Sequence, residues 1–477
     1  MRISISKGRI SETLFSECTF FIADVNSEST IRTNIEYFWK QYGLDLDPIV
    51  EDLVILAMGI FSVDKRIPRS GLINDYQGDN WTRQIELQIP VLELNKWEGV
   101  KLELSKCISF LSGDEWNINF YQTDIRFRPS KKRDIKKAKA LPEYDSVSLF
   151  SGGLDSFAGA IYYLDKGLRP LFIGCREYVA LEARIDEVFS AIADEFQYEN
   201  DKVNVFYVNP KIPQGIDQEV RNRFRENTSR TRSFLFLTAA IVMASLRGGE
   251  IPVIVPENGF IGINVPLTPS RLGSCSTRTT HVKFLSDFNK ILEKVGIHNQ
   301  IINPFRCMSK GQIVALIREH PSFKLTVGKT ISCSHPMQGR MQKAPVPINC
   351  GYCYPCIIRK ASLFCNGIID EYVDSYNHNL SLSSDFLMNP KYSNCDTGMN
   401  RDFRAVLYSL KTFELMDETK LKGRLIALCG LQGQEVDDFA NMYVKSMNEM
   451  KIYIQHLCKT DKKLAEYLGW EIDEYVD

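Results

Sequence analysis

The sequence predicts an α/β protein whose central part is a doubly wound parallel sheet. From residue 146 onward, short apolar segments alternate with segments of helical length, which is the pattern of strand–helix–strand units. The first of these strands runs directly into a glycine turn, Ser151-Gly152-Gly153-Leu154-Asp155-Ser156, that opens a helix. The chain has 477 residues, of which 44% are hydrophobic, so it can bury more than one core.

The central part divides into five predicted strands and the helices between them. We expect strands at 146–150, 171–173, 203–208 and 253–255 and from Ile301, and helices at 157–164, 181–196, 233–246 and 311–319. Ligands of such sheets bind outside the carboxyl ends of the strands. The glycine turn stands at such an end, and so do Gly174 and Cys175 and the segment Glu257-Asn258-Gly259.

Two further regions flank this part. The first 140 residues are predicted to form an α+β unit, with a helix over 49–61 and strands over 84–91 and 116–121. After residue 370 the pattern is helical, with long segments at 403–415, 421–428 and 436–458. We therefore expect three domains, at 1–140, 141–370 and 371–477.

The glycine turn has the features of a phosphate site. The first N–H groups of a helix lack intrahelical partners, and the helix dipole adds positive potential there. Gly152 and Gly153 permit positive φ and present no Cβ atom to a phosphate, while Ser151 and Ser156 offer hydroxyl donors. Asp155 indicates a magnesium ion, since a carboxylate beside phosphates needs a cation between them. The alternative is an ordinary turn in which Ser156 caps the helix.

Two cations are candidates for further phosphate contact. Arg232 precedes the apolar helix at 233–246, and Lys310 stands beside the start of the helix at 311–319. The negative charge of a bound phosphate group requires cations that a glycine turn does not supply, so we expect both to touch phosphate.

A cysteine cluster predicts a metal site. The chain has 13 cysteines, most without regular spacing, but two residues separate Cys350 from Cys353 and two separate Cys353 from Cys356, and Cys333 precedes them. Four thiolates can enclose Zn²⁺ tetrahedrally and leave no open position, so this zinc would be structural. His335 is the alternative to Cys333 as fourth ligand.

The basic, proline-containing run Arg126–Lys137 is predicted to be a solvated linker, with contact to a nucleic acid backbone as the alternative. The formal net charge of −1 argues against a protein that coats a polyanion. The amino terminus has no apolar stretch of signal-peptide length, and the longest apolar run, 234–244, is too short to cross a bilayer. We expect a cytoplasmic protein without a membrane segment.

The glycine turn resembles the PP-loop of ATP pyrophosphatases, which have a HUP-like fold. Together with the cysteine cluster and Lys310, it resembles the 7-cyano-7-deazaguanine synthase (QueC) family over about residues 146–366. The resemblance implies ATP and magnesium at the turn, zinc at the four cysteines, and adenylation of a 7-deazaguanine carboxylate with release of pyrophosphate, followed by amide and nitrile formation.

The flanking regions are additions to the plan of that family, and the segments 264–271 and 276–281 depart from its acidic Tyr-Pro-Asp-containing segment. The enlarged architecture looks like the QueC-like proteins of bacterial anti-phage systems, in particular the QatC group. This implies protein partners from the same operon and conjugation of a deazaguanine to a macromolecule. Two other functions stay open: a PP-loop tRNA thiolase, which would need Cys175, Cys275 or Cys307 as a persulfide carrier, and a nucleotide-sensing scaffold that does not turn over.

Overall fold

The computed structural model describes residues 1–8, 16–69, 82–176, 179–198, 203–216, 226, 228–268, 278–337, 346–370, 382–390 and 399–471. The strands are β1 (Arg2–Lys7), β2 (Cys18–Ile22), β3 (Ile31–Thr33), β4 (Gln84–Val91), β5 (Glu115–Gln122), β6 (Ser146–Leu149), β7 (Pro170–Cys175), β8 (Asn204–Phe206), β9 (Val208–Pro210), β10 (Val253–Ile254) and β11 (Ile301–Ile302).

The helices lie between and after these strands. They are α1 (Tyr37–Lys40), α2 (Pro48–Arg66), α3 (Leu94–Glu98), α4 (Lys101–Ser112), α5 (Lys132–Lys136), α6 (Leu154–Asp165), α7 (Val179–Phe196), α8 (Arg232–Arg247), α9 (Gly259–Ile263), α10 (Val282–Val295), α11 (Lys310–Ile317), α12 (Pro321–Thr326), α13 (Tyr354–Phe364), α14 (Ser384–Met388), α15 (Arg401–Glu414), α16 (Glu418–Cys429), α17 (Gln434–Thr460) and α18 (Lys462–Leu468).

The central sheet has five strands in the order β11-β10-β6-β7-β8, and every described pairing in it is parallel. The chain leaves β6 toward β7 and β8, then returns to the other side of β6 for β10 and β11. Val147 pairs with both Leu171 and Val253, so the three strands are in register. Helices pack on both faces of the sheet, α8 on one face and α6 with α11 on the other. Because both faces are covered, these strands consist mainly of apolar residues. The predicted doubly wound parallel sheet is confirmed.

The N-terminal sheet corrects the expected α+β class of this region. Its four strands, in the order β2-β1-β4-β5, are all parallel, so the unit is α/β. The strands at 84–91 and 115–122 and the helix at 48–66 agree with the predictions. The error in class came from β1, whose parallel pairing with the distant strand β4 has no local sequence signal.

The predicted strand at 203–208 is interrupted at Tyr207. The Asn34 side chain accepts a hydrogen bond from the Tyr207 backbone N–H at 2.7 Å, and Thr33 Oγ1 donates to the Tyr207 carbonyl at 2.7 Å. These side chains replace the ladder partners that a continuing strand would need. β8 therefore pairs with β7, while β9 forms an antiparallel pair with β3 of the N-terminal unit.

One hydrophobic core joins the N-terminal unit to one face of the central sheet. α2 packs against α8, and a buried ion cluster lies at this contact. Asp64 of α2 bonds Arg83 and Arg69, and it accepts hydrogen bonds from the backbone N–H groups of Arg230 and Thr231. A second core is formed by the C-terminal helices, where α17 packs on α13 and α9.

Candidate active site and metal centre

The strand order predicts a crevice beside the glycine turn. β6 ends at Leu149, and its neighbours β7 and β10 are reached by chain segments that run to opposite sides. In open parallel sheets such a reversal leaves a gap at the carboxyl ends of the strands, where ligands bind. The turn 151–153, the start of α6 and the segment after β10 meet at this gap.

Gly152 gives the turn its shape. Its φ is +72°, in the left-handed region, and a Cβ atom there would lie 3.1 Å from Ile185. The Ser156 hydroxyl donates to the Gly153 carbonyl at 3.0 Å, and the Ser151 N–H donates to Ser156 Oγ at 3.2 Å. Ser151 itself is exposed at the mouth of the turn, whereas Ser156 is buried. Ser156 is therefore engaged in holding the turn, and Ser151 is the hydroxyl open to a ligand.

Asp155 is the centre of a buried polar cluster. Its Oδ2 atom accepts a hydrogen bond from Lys310 Nζ at 2.6 Å and from Asn258 Nδ2 at 3.0 Å. Its Oδ1 atom is buried and has no hydrogen-bond partner among the described residues. Since a buried carboxylate oxygen without a partner is costly, this atom is available to a ligand.

Glu257 lies beside this carboxylate. Asn258 Nδ2 donates to Glu257 Oε1 at 2.9 Å, so one amide group bonds both acids. Burial, followed by the charge of Asp155, raises the pKa of Glu257 well above its ordinary value. Burial would also raise the pKa of Asp155, but the Lys310 ammonium, followed by the adjacent Glu257 carboxyl group, lowers it. Two adjacent carboxyl groups, one with an oxygen that has no partner among the described residues, are a donor set that fits Mg²⁺.

Lys310 is positioned by its helix start. Ser309 caps α11, because its Oγ accepts from the Gln312 N–H at 3.1 Å while the Gln312 side chain accepts from the Ser309 N–H at 3.1 Å. Glu449 of α17 also reaches this helix end, accepting from the Gly311 N–H at 3.0 Å and from the Ser309 hydroxyl. The C-terminal helices thus hold the segment that carries Lys310.

The four cysteines come together after the central sheet. Their sulfur atoms all lie within 4.8 Å of one another; Cys350 and Cys356 are 4.0 Å apart, and Cys333 and Cys353 are 3.8 Å apart. Zn–S bonds of about 2.3 Å place the sulfurs of a tetrahedral site about 3.8 Å apart. Backbone N–H groups of 335, 350 and 353 point at these sulfurs, as suits thiolates. The set therefore fits a metal ion such as zinc.

The metal centre is joined to the glycine turn by a strap, residues 330–333. The Ile331 N–H donates to the Gly152 carbonyl at 3.1 Å, and Ser332 Oγ accepts from the Leu154 N–H at 3.4 Å. Behind the strap, the buried guanidinium of Arg359 donates to the Thr330 side chain at 2.5 Å. Because Cys333 ends the strap, an ion at the four cysteines would fix the backbone that supports the turn.

The other predicted residues have these positions. Gly174 is buried near the end of β7, and a Cβ atom there would lie 3.1 Å from the Phe150 carbonyl, so it borders the turn. Arg232 is half-buried in the first turn of α8, directly after the pair of residues held by Asp64. Cys175 and Cys307 are half-buried; Cys275 lies outside the described residues, as do 269–271, 276 and 277. His335 stands beside Cys353, whose contact raises the pKa of the imidazole, but the fourth sulfur of the cluster is Cys333.

Sequence reasoning placed Glu257 and Asn258 at the right strand end without giving them roles. It missed Asn303, Ser332 and Glu449. The Asn303 side chain holds the backbone of Glu257, since Asn303 Nδ2 donates to the Glu257 carbonyl at 2.9 Å. All three are common polar residues that tertiary contacts bring to the site, so no local pattern marks them.

No family model, no curated protein and no solved structure matches this chain. In the part of the chain that the structure describes, no helix combines the length and the apolar character that a bilayer crossing needs.

Proposed function

We propose that this protein is an ATP-dependent enzyme of the QueC-like kind, which joins AMP to a carboxylate and releases pyrophosphate. The observation that carries the proposal is the buried cluster at the glycine turn, where Asp155 bonds Lys310 and Asn258 with one oxygen left over. Perturbed acids at the reversal point of a parallel sheet are a common signature of an active site.

The residues at the glycine turn and around it would bind ATP, hold magnesium or stabilise the leaving group. The turn, with Ser151, Gly152, Gly153 and Leu154, would cradle the phosphates of ATP, and Gly174 would border the nucleoside. Asp155 and Glu257 would hold Mg²⁺, which supplies charge neutralisation when bound. Lys310 and Arg232 would stabilise the negative charge that develops as the α–β phosphate bond breaks and pyrophosphate leaves. The substrate carboxylate forms the new bond to the α-phosphorus, and a nitrogen nucleophile then displaces AMP.

The substrate and the acceptor follow from the resemblance and the architecture. We propose a 7-deazaguanine carboxylate as the acid, protein partners from the same defence operon, and conjugation to a macromolecule as the outcome. The N-terminal sheet and the C-terminal helices favour a large acceptor, since an enzyme that consumes only ammonia has no evident use for them. Zinc at Cys333, Cys350, Cys353 and Cys356 would be structural in this proposal, because four sulfur ligands leave no open position.

The experiment is to incubate the full chain with Mg-ATP, 7-carboxy-7-deazaguanine and the proteins encoded beside it, and to weigh every product by mass spectrometry. We expect AMP, pyrophosphate and a partner that gains the mass of the deazaguanine acyl group. Asp155→Asn should lower pyrophosphate release by about 100-fold or more. Asp165→Asn, an exposed carboxylate at the other end of α6, is the matched control and should leave the rate unchanged.

Other outcomes would replace the proposal. Formation of ADP and phosphate would exclude adenylation. Tight ATP binding without AMP formation would favour a nucleotide-sensing scaffold, and sulfur transfer to tRNA would favour a PP-loop thiolase. Formation of the free nitrile alone would make the protein a synthase and exclude conjugation.

A further inference from the structure

A second concave site lies outside the candidate active site, between the N-terminal unit and the basic segment that follows it. This basic groove has a volume of about 1050 Å³ and is lined by residues of 24–41, by residues of 128–139 and by Tyr207. Its cationic lining residues are Lys40, Arg128, Lys131, Arg133, Lys137 and Lys139.

The groove has an excess of positive charge that the protein does not use. It is lined by three acidic residues, and two of them are engaged: Glu36 pairs with Arg128 at 3.1 Å, and Asp134 accepts from the Lys131 N–H at 3.1 Å. Lys40, Lys137 and Lys139 form no ion pair with any other described residue. Burial lowers the pKa of Lys40 despite the opposing charges of Glu36 and Asp134. An anion in the groove would compensate these ammonium groups.

The run predicted to be a solvated linker is exposed over most of 129–137, but its first residues are anchored. Arg126 bonds the buried Glu51, and the buried guanidinium of Arg128 donates to the Ala23 carbonyl at 2.9 Å and to Ser29 Oγ at 2.7 Å. These contacts anchor the segment to the N-terminal unit. They hold the following lysines along one wall of the groove, where a flexible linker would leave them dispersed.

Aromatic rings lie among these cations, although the basic run itself contributes only Phe127, which is buried. Tyr37, at the start of α1, is 54% exposed and lines the groove, and Tyr207 lines it from the end of β8. Exposed tyrosine beside lysines is the combination that binds single-stranded nucleic acid, because bases stack on the ring while phosphates meet the ammonium groups. An acidic peptide would use the lysines but not the ring.

The position of the groove relates it to the candidate active site. β8 is two strands from β6 in the same parallel sheet, so Tyr207 and the glycine turn share the carboxyl edge about 10 Å apart. Arg176, which follows β7 between them, lies 5.7 Å over the Tyr207 ring. A strand in the groove would therefore pass close to the turn.

We propose that the basic groove binds single-stranded nucleic acid, with Lys131, Lys137 and Lys139 on the phosphates and Tyr37 stacked on a base. This inference is independent of the proposed function, since binding in the groove requires neither ATP nor a metal ion.

The test is fluorescence anisotropy of the full chain with a labelled oligothymidylate of about 12 nucleotides, at about 50 and 200 mM salt. Lys137→Glu with Lys139→Glu should weaken binding at least tenfold and reduce the slope of log K against log salt by about 1.4, since each phosphate contact contributes about 0.7. Lys290→Glu with Lys463→Glu changes the net charge equally at exposed positions elsewhere, and it should change the affinity less than twofold. Tyr37→Ala should weaken binding about 5- to 100-fold and leave the salt slope unchanged.

Two results would overturn the proposal. Equal losses in the groove pair and the control pair would show nonspecific attraction. Displacement of the oligonucleotide by polyglutamate at equal charge concentration, together with an unaffected Tyr37→Ala variant, would show that the groove binds an acidic peptide. All four substituted lysines and Tyr37 are exposed, and thermal unfolding of each variant checks that it is folded.

Discussion

Both parallel sheets of this protein end in buried charged side chains, and the two ends differ in how those charges are satisfied. In the four-stranded sheet, Lys7 closes β1 and donates to Glu51 at 3.4 Å and to the Ile125 carbonyl at 3.1 Å. Glu51 accepts in turn from Arg126 and from the Phe127 backbone N–H. Each charge at this end is bonded by the protein itself.

In the five-stranded sheet, the corresponding end is incomplete. Asp155 bonds Lys310 and Asn258 through one oxygen, while the other is buried without a partner among the described residues. Glu257 adds a second acid whose pKa is raised by burial and by Asp155. Buried polar groups normally find partners within the fold, so an unpartnered carboxylate oxygen beside a second acid at a strand end is a candidate binding position. Both sheets are all-parallel in the described pairings, but only the second leaves a buried carboxylate oxygen at its carboxyl end without a partner among the described residues.

The largest expected effect concerns the strap that supports this second end. Cys350→Ser with Cys353→Ser should abolish metal binding, because two of the four sulfur ligands are lost. Structural zinc contributes about 10–16 kcal/mol of binding free energy in small domains, so its loss should loosen the segment that it holds. We expect faster hydrogen exchange at 330–333 and 151–156 than in the native protein, with little change at β4 in the other sheet. Elemental analysis and exchange mass spectrometry measure both.

Cys365→Ser is the control, since Cys365 is exposed and lies outside the cluster. A full complement of metal in the double variant would place the ligands elsewhere. Unchanged exchange at 151–156 after metal loss would show that the strap does not support the turn.

The second prediction compares one acid from each sheet end. Glu51→Gln should lower the free energy of unfolding by about 3–5 kcal/mol, because it leaves Lys7 buried without its counter-charge. Glu257→Gln keeps an acceptor for Asn258 and places no charge beside Asp155, so we expect a free energy of unfolding within about 1 kcal/mol of the native value. Its pyrophosphate release should fall at least tenfold, whereas folded Glu51→Gln should retain the native rate.

Urea unfolding and a pyrophosphate assay on the same preparations separate the two outcomes. The contrast between the sheets fails if Glu257→Gln is the less stable variant, or if Glu51→Gln loses activity while it remains folded.

The contrast also shows what the sequence could predict. The glycine turn, the strand ends and the cysteine spacing are local patterns, and they located Asp155, Asn258 and the metal cluster. The all-parallel N-terminal sheet could not be predicted, because the pairing of β1 with β4 joins segments more than 80 residues apart. Glu449 and the strap were missed for the same reason: an acid in a long helix and a serine beside a cysteine acquire their roles only through tertiary contact.

The third prediction concerns the junction between the two units. His281 caps α10, accepting from the Lys283 N–H at 3.2 Å, and its ring packs at 5.0 Å from Phe110 of the N-terminal unit. Burial, followed by the charges of Arg278 and Lys283, lowers the pKa of His281 to about 3. The unfolded chain therefore takes up a proton below about pH 6.5 that the folded chain does not, and stability is lost as pH falls from about 6.5 toward 3.

Between pH 6.5 and 5 this single group should cost about 2 kcal/mol of unfolding free energy. His281→Asn retains a side chain that caps helices and removes the titration, so its stability should depend less on pH over this interval. Urea unfolding at the two pH values gives the difference. Equal pH dependence in both proteins would show that His281 is protonated in the folded state.

The smallest effect compares the two ends of one helix. Gly152 precedes α6 at the carboxyl edge of the sheet with φ +72°, and Gly167 follows it at the opposite edge with φ +76°. Alanine at either position pays the cost of a left-handed backbone, about 1–2 kcal/mol. At Gly167 no described atom other than those of its chain neighbours lies within 4 Å of the added Cβ, whereas at Gly152 an Ile185 atom lies at 3.1 Å. Gly167→Ala therefore measures the backbone cost alone, and the extra loss in Gly152→Ala measures crowding at the turn.

We expect a difference of less than about 1 kcal/mol in stability between the two variants, but a fall of at least tenfold in pyrophosphate release for Gly152→Ala only. Equal rates in the two variants would mean that the shape of the turn is structural, and that the phosphate site lies elsewhere along the sheet edge.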